Sequence, residues 1–194
     1  VGVGYNLRQE CALIEHNLLR LDPDLVIIAF GWNDLEFTPI TFTEGGKLCF
    51  YGRSGKEVFD WVNPTLFKHS IAYRVIVGNY LAGGGAAMSF EEVLRRRARE
   101  PLQEVKALLD PRGIKLLVVL VAFPVDFEAF SPRERQTFGG IKRVLAELGI
   151  GHLDLEPRFR QQGSWRRIGH FVDGVSTAHP NRLGHRIIGD AIYE

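Results

Sequence analysis

Two short blocks carry side chains suited to chemistry. Gly31-Trp32-Asn33-Asp34 stands directly behind the apolar run Leu25 to Phe30, and His179-Pro180-Asn181 stands close to the carboxyl terminus. A side-chain amide such as that of Asn33 can donate to an oxyanion as it develops, and a histidine on the same rim can move the proton, which together describe acyl transfer. A plainer reading has Asn33 turning the chain by bonding its own backbone and His179 only starting a helix. A third takes His170, Asp173, His179 and His185 as metal ligands. The expectation is no metal and no cofactor.

The elements around these blocks place them. Leu25 to Phe30 is six apolar residues, three of them β-branched, and predicts a strand buried on both faces. Asn33 and Asp34 then sit at its carboxyl end, the rim where open parallel sheets bind ligands, with Gly31 allowing a sharp turn. Upstream, Val1 to Tyr5 alternates Val and Gly like the end of a strand. Asn6 is placed to cap a helix to about Arg20, with Leu7, Cys11, Ile14, Leu18 and Leu21 at helical spacing and Asp22-Pro23 stopping it. Downstream, Ser89 and Glu92 form a capping-box pattern for a helix to about Asp110. Its Arg95-Arg96-Arg97 run and Arg99, interleaved with glutamates, predict a salt-bridged solvated face. Ile114 to Phe123 predicts a second fully buried strand, closed by Pro124. Ser131-Pro132 starts a helix ended by Gly149, and Ile150 to Leu155 predicts a third strand ending near Asp154. Pro180 suits the first turn of the last helix, which puts His179 at its amino-terminal edge. Strands alternating with helices predict an α/β fold with a parallel sheet.

Between these elements, Leu35 to Ser70 shows no clear period but carries Phe37, Phe42, Phe50, Tyr51, Phe59, Trp61 and Phe67. It reads as an aromatic insertion, either a lid over the rim or a satellite cluster under a long loop. Ile71 to Leu81 predicts a short helix, and Gly83-Gly84-Gly85 a break that no Gly-Lys-Ser/Thr turns into a phosphate loop. Residues 1–194 are expected to form a single domain. A formal charge of +1 argues against nucleic acid as the main partner. Small-molecule or carbohydrate partners fit better. Cys11 and Cys49 make no metal spacing or disulfide framework. The longest apolar run, Leu116 to Phe123, is strand length and well short of the roughly 20 residues of a membrane span.

Taken together, Gly31-Trp32-Asn33-Asp34 resembles the GxND block of the SGNH hydrolases, the GDSL esterase/lipase superfamily. His179-Pro180-Asn181 with Gly184-His185 resembles its carboxy-terminal His block, and Gly4-Tyr5-Asn6 the end of its glycine block. The resemblance implies a flavodoxin-like three-layer α/β/α fold, Asn33 and the Gly4 backbone N–H as oxyanion donors, and His179 as general base. It implies an ester hydrolase acting on short-chain esters or acetylated carbohydrates, with Trp32 and Phe37 as substrate contacts. A non-catalytic binding module and an O-acyltransferase on the same fold are the alternatives. The family's Gly-Asp-Ser block on the first strand would lie upstream of Gly4 and is not in this sequence, so the nucleophile and that strand are expected to be missing from an amino-terminally truncated piece. None of Ser54, Ser70, Ser89, Ser131, Ser164 and Ser176 has a comparable strand-to-turn context. Ser176 also stands where the family carries the Asp that orients the His, which leaves Asp173 or a backbone carbonyl for that task.

Overall fold

The computed structural model describes residues 6–35, 40–44, 47–52, 55–58, 62–73, 76–77, 89–122, 129–172 and 175–194. The chain divides into two units, residues 1–36 with 90–194, and residues 37–89. In chain order the elements are α1 (Leu7–Leu13), β1 (Leu25–Phe30), β2 (Ile40–Glu44), β3 (Lys47–Gly52), β4 (Gly55–Val58), α2 (Pro64–His69), α3 (Phe90–Leu94) and α4 (Glu100–Leu109). They continue with β5 (Lys115–Leu120), α5 (Pro132–Leu148), β6 (Gly151–Asp154), α6 (Glu156–Arg160), α7 (Trp165–Ile168), β7 (Gly169–Val172), β8 (Val175–Pro180) and α8 (Arg182–Tyr193).

The first unit is an α/β structure with a three-stranded parallel sheet, ordered β1-β5-β6 and flanked by helices. Local chemistry accounts for the helix boundaries. Asn6 accepts the Gln9 N–H at 3.0 Å while the Gln9 side chain accepts the Asn6 N–H at 2.8 Å, a reciprocal cap that starts α1. Beyond Leu13 the same helical run widens into a π turn (Ile14–Leu18), tightens at Leu19–Leu21 and stops at Asp22, whose φ of 50° is left-handed. Between α3 and α4 lies another π turn, Arg95–Arg99. Pro101 accounts for it, because in a regular helix its ring would press on the carbonyl of Arg97 and remove one hydrogen bond. Ser131 and Glu134 form the capping box of α5, and Gly149, at φ 63°, ends it.

Three expectations need correction. The first strand is buried on one face only. Val26, Ile28 and Phe30 are in the core, while Leu25 is 44% and Ile27 41% exposed. Among the described residues β1 is an edge strand with β5 as its neighbour, and the face carrying Leu25 and Ile27 lacks the cover that a run of six apolar residues predicts. The second strand, β5, starts on exposed Lys115 and is fully buried only from Val118 to Leu120. Pro180 is the last residue of β8 and lies outside the helix, because Asn181 takes the cap of α8 and leaves Pro180 opposite Gly169 in the β7–β8 hairpin. That hairpin was not read from the sequence, although Asp173-Gly174 between its strands is a hairpin signal.

The second unit contains an antiparallel meander, β2-β3-β4, where the sequence shows no clear period. Alternation within Ile40-Thr41-Phe42-Thr43 is too short to stand out by itself. Asn63 caps α2 through bonds from the Thr65 and Leu66 N–H groups, both at 3.0 Å. Buried Val62 and Val77 pack with Phe67 and Tyr73. No helix among the described residues is long and apolar enough to cross a membrane.

Candidate active site

Asn33 lies in a single turn of 3-10 helix, Trp32–Leu35, immediately after the carboxyl end of β1. The strand delivers the chain there as Phe30 becomes fully buried and its carbonyl accepts the Val121 N–H at 2.9 Å. Asp34 then closes the turn on itself. Its carboxylate accepts the Gly31 N–H at 2.6 Å, and its own N–H donates to the Gly31 carbonyl at 3.2 Å. Arg97 donates to the Leu35 carbonyl at 2.7 Å, so the far end of the turn is tied to the π turn before α4. Asn33 itself is exposed, whereas the two residues that follow it, Asp34 and Leu35, are buried. Trp32 is partly buried against the core.

Gly31 serves this turn through its lack of a side chain. Its φ is not in the left-handed region, and a Cβ there would lie 2.9 Å from Asn33 Oδ1. The Asn33 side chain occupies the space that any other residue at 31 would fill, with its carbonyl end over Gly31.

Two carboxyls beneath the turn are strongly perturbed. Burial pushes the Asp34 carboxyl up to about 7, against the pull of the Gly31 N–H. Burial first, and then the charge of Asp34, push Glu10 on α1 up to about 8. Burial likewise raises Cys11 to about 12, which leaves its thiol protonated and inert as a nucleophile.

His179 is the penultimate residue of β8 and is exposed. What fixes its position is Asn181, two residues on. The Asn181 Oδ1 accepts the Leu183 and Gly184 N–H groups at 2.9 and 3.1 Å, capping α8. Its Nδ2 donates to the carbonyls of Arg167 and Gly169, each at 2.9 Å, and its N–H donates to the Ile168 carbonyl at 2.7 Å. One side chain thus pins the start of α8 to the junction of α7 and β7. Gly184 makes that approach sterically feasible, since a Cβ there would lie 2.7 Å from both the Ile168 carbonyl oxygen and Pro180 Cβ.

An aromatic chain runs between the supports of the two blocks. Phe30, at the end of β1, meets Phe138 of α5 at 6.2 Å between ring centroids. Phe138 meets Phe130 at 5.6 Å, and Phe130 meets Trp165 of α7 at 5.5 Å. All are edge-on contacts, the favoured arrangement for such rings.

Gly4, Phe37 and Asp173 lie outside the described residues. No hydrogen bond to the His179 ring forms among the described residues. His185 is exposed on α8. Asp154 ties elements together, accepting the Glu156 N–H at 3.0 Å and pairing with Lys142 at 2.5 Å. Of the arginine run, Arg95 and Arg96 pair with Glu92 and Arg99 with Glu147, while Arg97 reaches the Asn33 turn. Glu10 and Arg97 were missed as parts of this site. A carboxylate among the apolar positions of the first helix was the available signal for Glu10; nothing local marks Arg97 among its neighbours.

No group of three or more potential metal ligands forms among the described residues. Comparison with curated proteins finds no match. The model of the GDSL-like lipase/acylhydrolase family matches residues 3–187, a span that contains both the Asn33 turn and His179. The chain belongs to the GDSL-like lipase/acylhydrolase family.

Proposed function

We propose that this protein hydrolyses carboxylic esters by Ser-His chemistry, with His179 as general base and with Asn33 and the Gly4 N–H as oxyanion donors. The serine Oγ attacks the ester carbonyl carbon as His179 takes its proton. The carbonyl oxygen becomes the oxyanion, held by Asn33 Nδ2 and the Gly4 N–H. Collapse of the tetrahedral intermediate expels the alcohol, which receives its proton from His179, and water releases the acyl group by the same route. Asp173 is the proposed orienter of the His179 ring. Trp32 and Phe37 are the proposed contacts to the acyl or sugar portion of the substrate.

The observation that carries this reading is the Asn33 turn: an exposed amide held by buried neighbours at the carboxyl end of a parallel strand. Such a placement supports an oxyanion role for Asn33, since a donor whose backbone is already set costs less reorganisation as charge develops. The test is fluorophosphonate labelling of the full-length protein, with the adduct mapped by mass spectrometry and hydrolysis of p-nitrophenyl acetate measured alongside. One adduct on a serine upstream of Gly4, lost in His179→Ala, is the expected result. Properly folded full-length protein that takes no adduct and hydrolyses no ester would refute the reading.

A further inference from the structure

Arg97 differs from the arginines around it. Arg95 and Arg96 pair with Glu92, and Arg99 pairs with Glu147. Arg97 is partly buried, and its Nη1 donates at 2.7 Å to the carbonyl of Leu35, 62 residues away along the chain. Leu35 is the last residue of the Asn33 turn and is itself buried. The final carbonyls of a helical turn have no donor within the turn, and a cationic side chain is well suited to serve one.

We infer that Arg97 is a positioning residue for the Asn33 amide, and that the π turn from Arg95 to Arg99 is the mount that presents it. The inference rests on the proposed oxyanion role of Asn33 for its functional meaning, and on hydrogen bonds for its physics. The Glu100 N–H donates to the Arg95 carbonyl, one residue further back than in a regular helix. The Arg96 carbonyl, which Glu100 would serve in a regular helix, falls in this wider pattern to residue 101, and Pro101 has no N–H to offer. Arg8 of α1 reaches that carbonyl, donating from Nη1 at 3.4 Å. Ala98, in the same turn, is fully buried in the core. The π turn is thus fixed from inside by packing and from the side by α1, which makes it a firm base for the Arg97 side chain.

Asn33 therefore lies between two anchors. At the entrance of its turn the Gly31 N–H is held at 2.6 Å by the Asp34 carboxyl, and at the exit the Leu35 carbonyl is held by Arg97. The Asn33 side chain is exposed, so the backbone that carries it sets the aim of its Nδ2. Removing Arg97 releases the exit of the turn, and the amide moves with it. A misplacement of about 1 Å at a reacting centre can cost about 10²-fold in rate. The loss falls on kcat and leaves KM, because an oxyanion donor is used in the transition state and not in the bound ester. Arg97 touches no reacting atom; it acts only through Leu35 and Asn33.

The test is a double-mutant cycle in the full-length protein, with hydrolysis of p-nitrophenyl acetate and amide NMR as its two readouts. Arg97→Met should lower kcat by about 10–10²-fold with KM nearly unchanged. In an Asn33→Ala background the same substitution should change kcat by less than about twofold, since the group it positions is gone. A merely structural role would instead lower kcat by the same factor in both backgrounds. In the NMR spectrum Arg97→Met should shift the Asn33 side-chain NH₂ signals and leave those of Asn181 in place. Arg95→Met, which removes an exposed ion pair from the same π turn, should leave both turnover and the Asn33 signals as in wild type. If Arg97→Met does not fold, Arg97→Lys, which keeps the charge and loses the planar fork, is read by the same cycle. Wild-type turnover in the Arg97 variant, or a full loss that persists without Asn33, would overturn the inference. The two readings fail separately. Asn33 signals that move in Arg97→Met in a protein that hydrolyses no ester support the anchor and refute the hydrolase. Hydrolysis with Asn33 signals unmoved in Arg97→Met does the reverse.

Discussion

Asn181 offers the sharpest test of how the His179 block is held, because its two side-chain ends do separable work. The Oδ1 end caps α8, and the Nδ2 end serves the carbonyls of Arg167 and Gly169. Asn181→Ala loses both. The cap alone is worth about 1 kcal/mol. The Gly169 carbonyl, in the more buried of the two Nδ2 bonds, loses its donor at a further cost of about 1–2 kcal/mol. The total of about 2–3 kcal/mol corresponds to a fall in Tm of roughly 5–10 °C for a chain of this size. Asn181→Asp divides the two effects. Aspartate is as good a cap as asparagine and suits the positive end of a helix. It also places a carboxylate oxygen 2.9 Å from two carbonyl oxygens, where the wild type has a donor. If the Nδ2 bonds matter, Asn181→Asp is destabilised by at least 1 kcal/mol despite its intact cap. Urea unfolding of wild type, Asn181→Ala and Asn181→Asp at pH 7, with equal m-values, is the assay. An Asn181→Asp protein as stable as wild type would show that the cap is the whole of the effect, and the pinning of α8 to the α7–β7 junction would have to be abandoned.

Other expectations concern the turn, the base and the core. Asn33→Ala should lower kcat for ester hydrolysis by about 10²–10³-fold, and because Asn33 is exposed its unfolding midpoint should change little. His179→Asn should lower kcat by about 10²–10⁴-fold at saturating ester, and a variant with wild-type turnover would remove His179 from the mechanism. Gly140→Ala would place a Cβ 2.7 Å from Leu94 Cδ1 and 3.0 Å from Phe90 Cε1 in the packed contact of α3 with α5. A loss of about 1–3 kcal/mol in urea unfolding is expected from such overpacking. Glu10→Gln should gain stability over wild type as the pH rises. Glu10 binds its proton more tightly when folded, so its contribution is complete below about 4.5 and is lost as pH climbs to about 8. Allowing for partial exposure, the difference at pH 9 should be on the order of 2 kcal/mol, and parallel stability curves for the two proteins would refute the assignment.

How far the sequence reached depended on the range of the forces involved. Helix ends were legible because a cap is a local event: Asn6 with Gln9, Ser131 with Glu134, and Gly149 all act within one turn of the residue they serve. The parallel sheet was legible from its apolar runs, yet the burial of those runs was not. Leu25 and Ile27 depend on what lies across the sheet, which a pattern of six apolar residues cannot specify. Asn33 and Asp34 were found at the strand end, but Gly31 was read as a conformational device when its contribution is space for the Asn33 side chain. The Glu10 and Arg97 supports were out of reach, since they join positions far apart in the chain through burial and a backbone carbonyl. Asn181 was read as part of a motif, but its hydrogen bonds to Arg167 and Gly169 needed the hairpin, whose turn signal was overlooked.

The two blocks are held by opposite kinds of force, and that difference has a consequence for how the site fails. The Asn33 turn rests on two polar contacts, Arg97 on the Leu35 carbonyl and the Asp34 carboxyl on the Gly31 N–H, and the second depends on whether Asp34 holds a proton. The His179 block rests on neutral bonds from one partly exposed asparagine, which pH leaves alone and fraying of α8 does not. Between them, the edge-on rings of Phe30, Phe138, Phe130 and Trp165 supply apolar contact that neither protons nor salt disturb, at about 0.5–1.5 kcal/mol per pair beyond their buried area. A change of pH should therefore loosen Asn33 without moving His179, while mild denaturant should release His179 first.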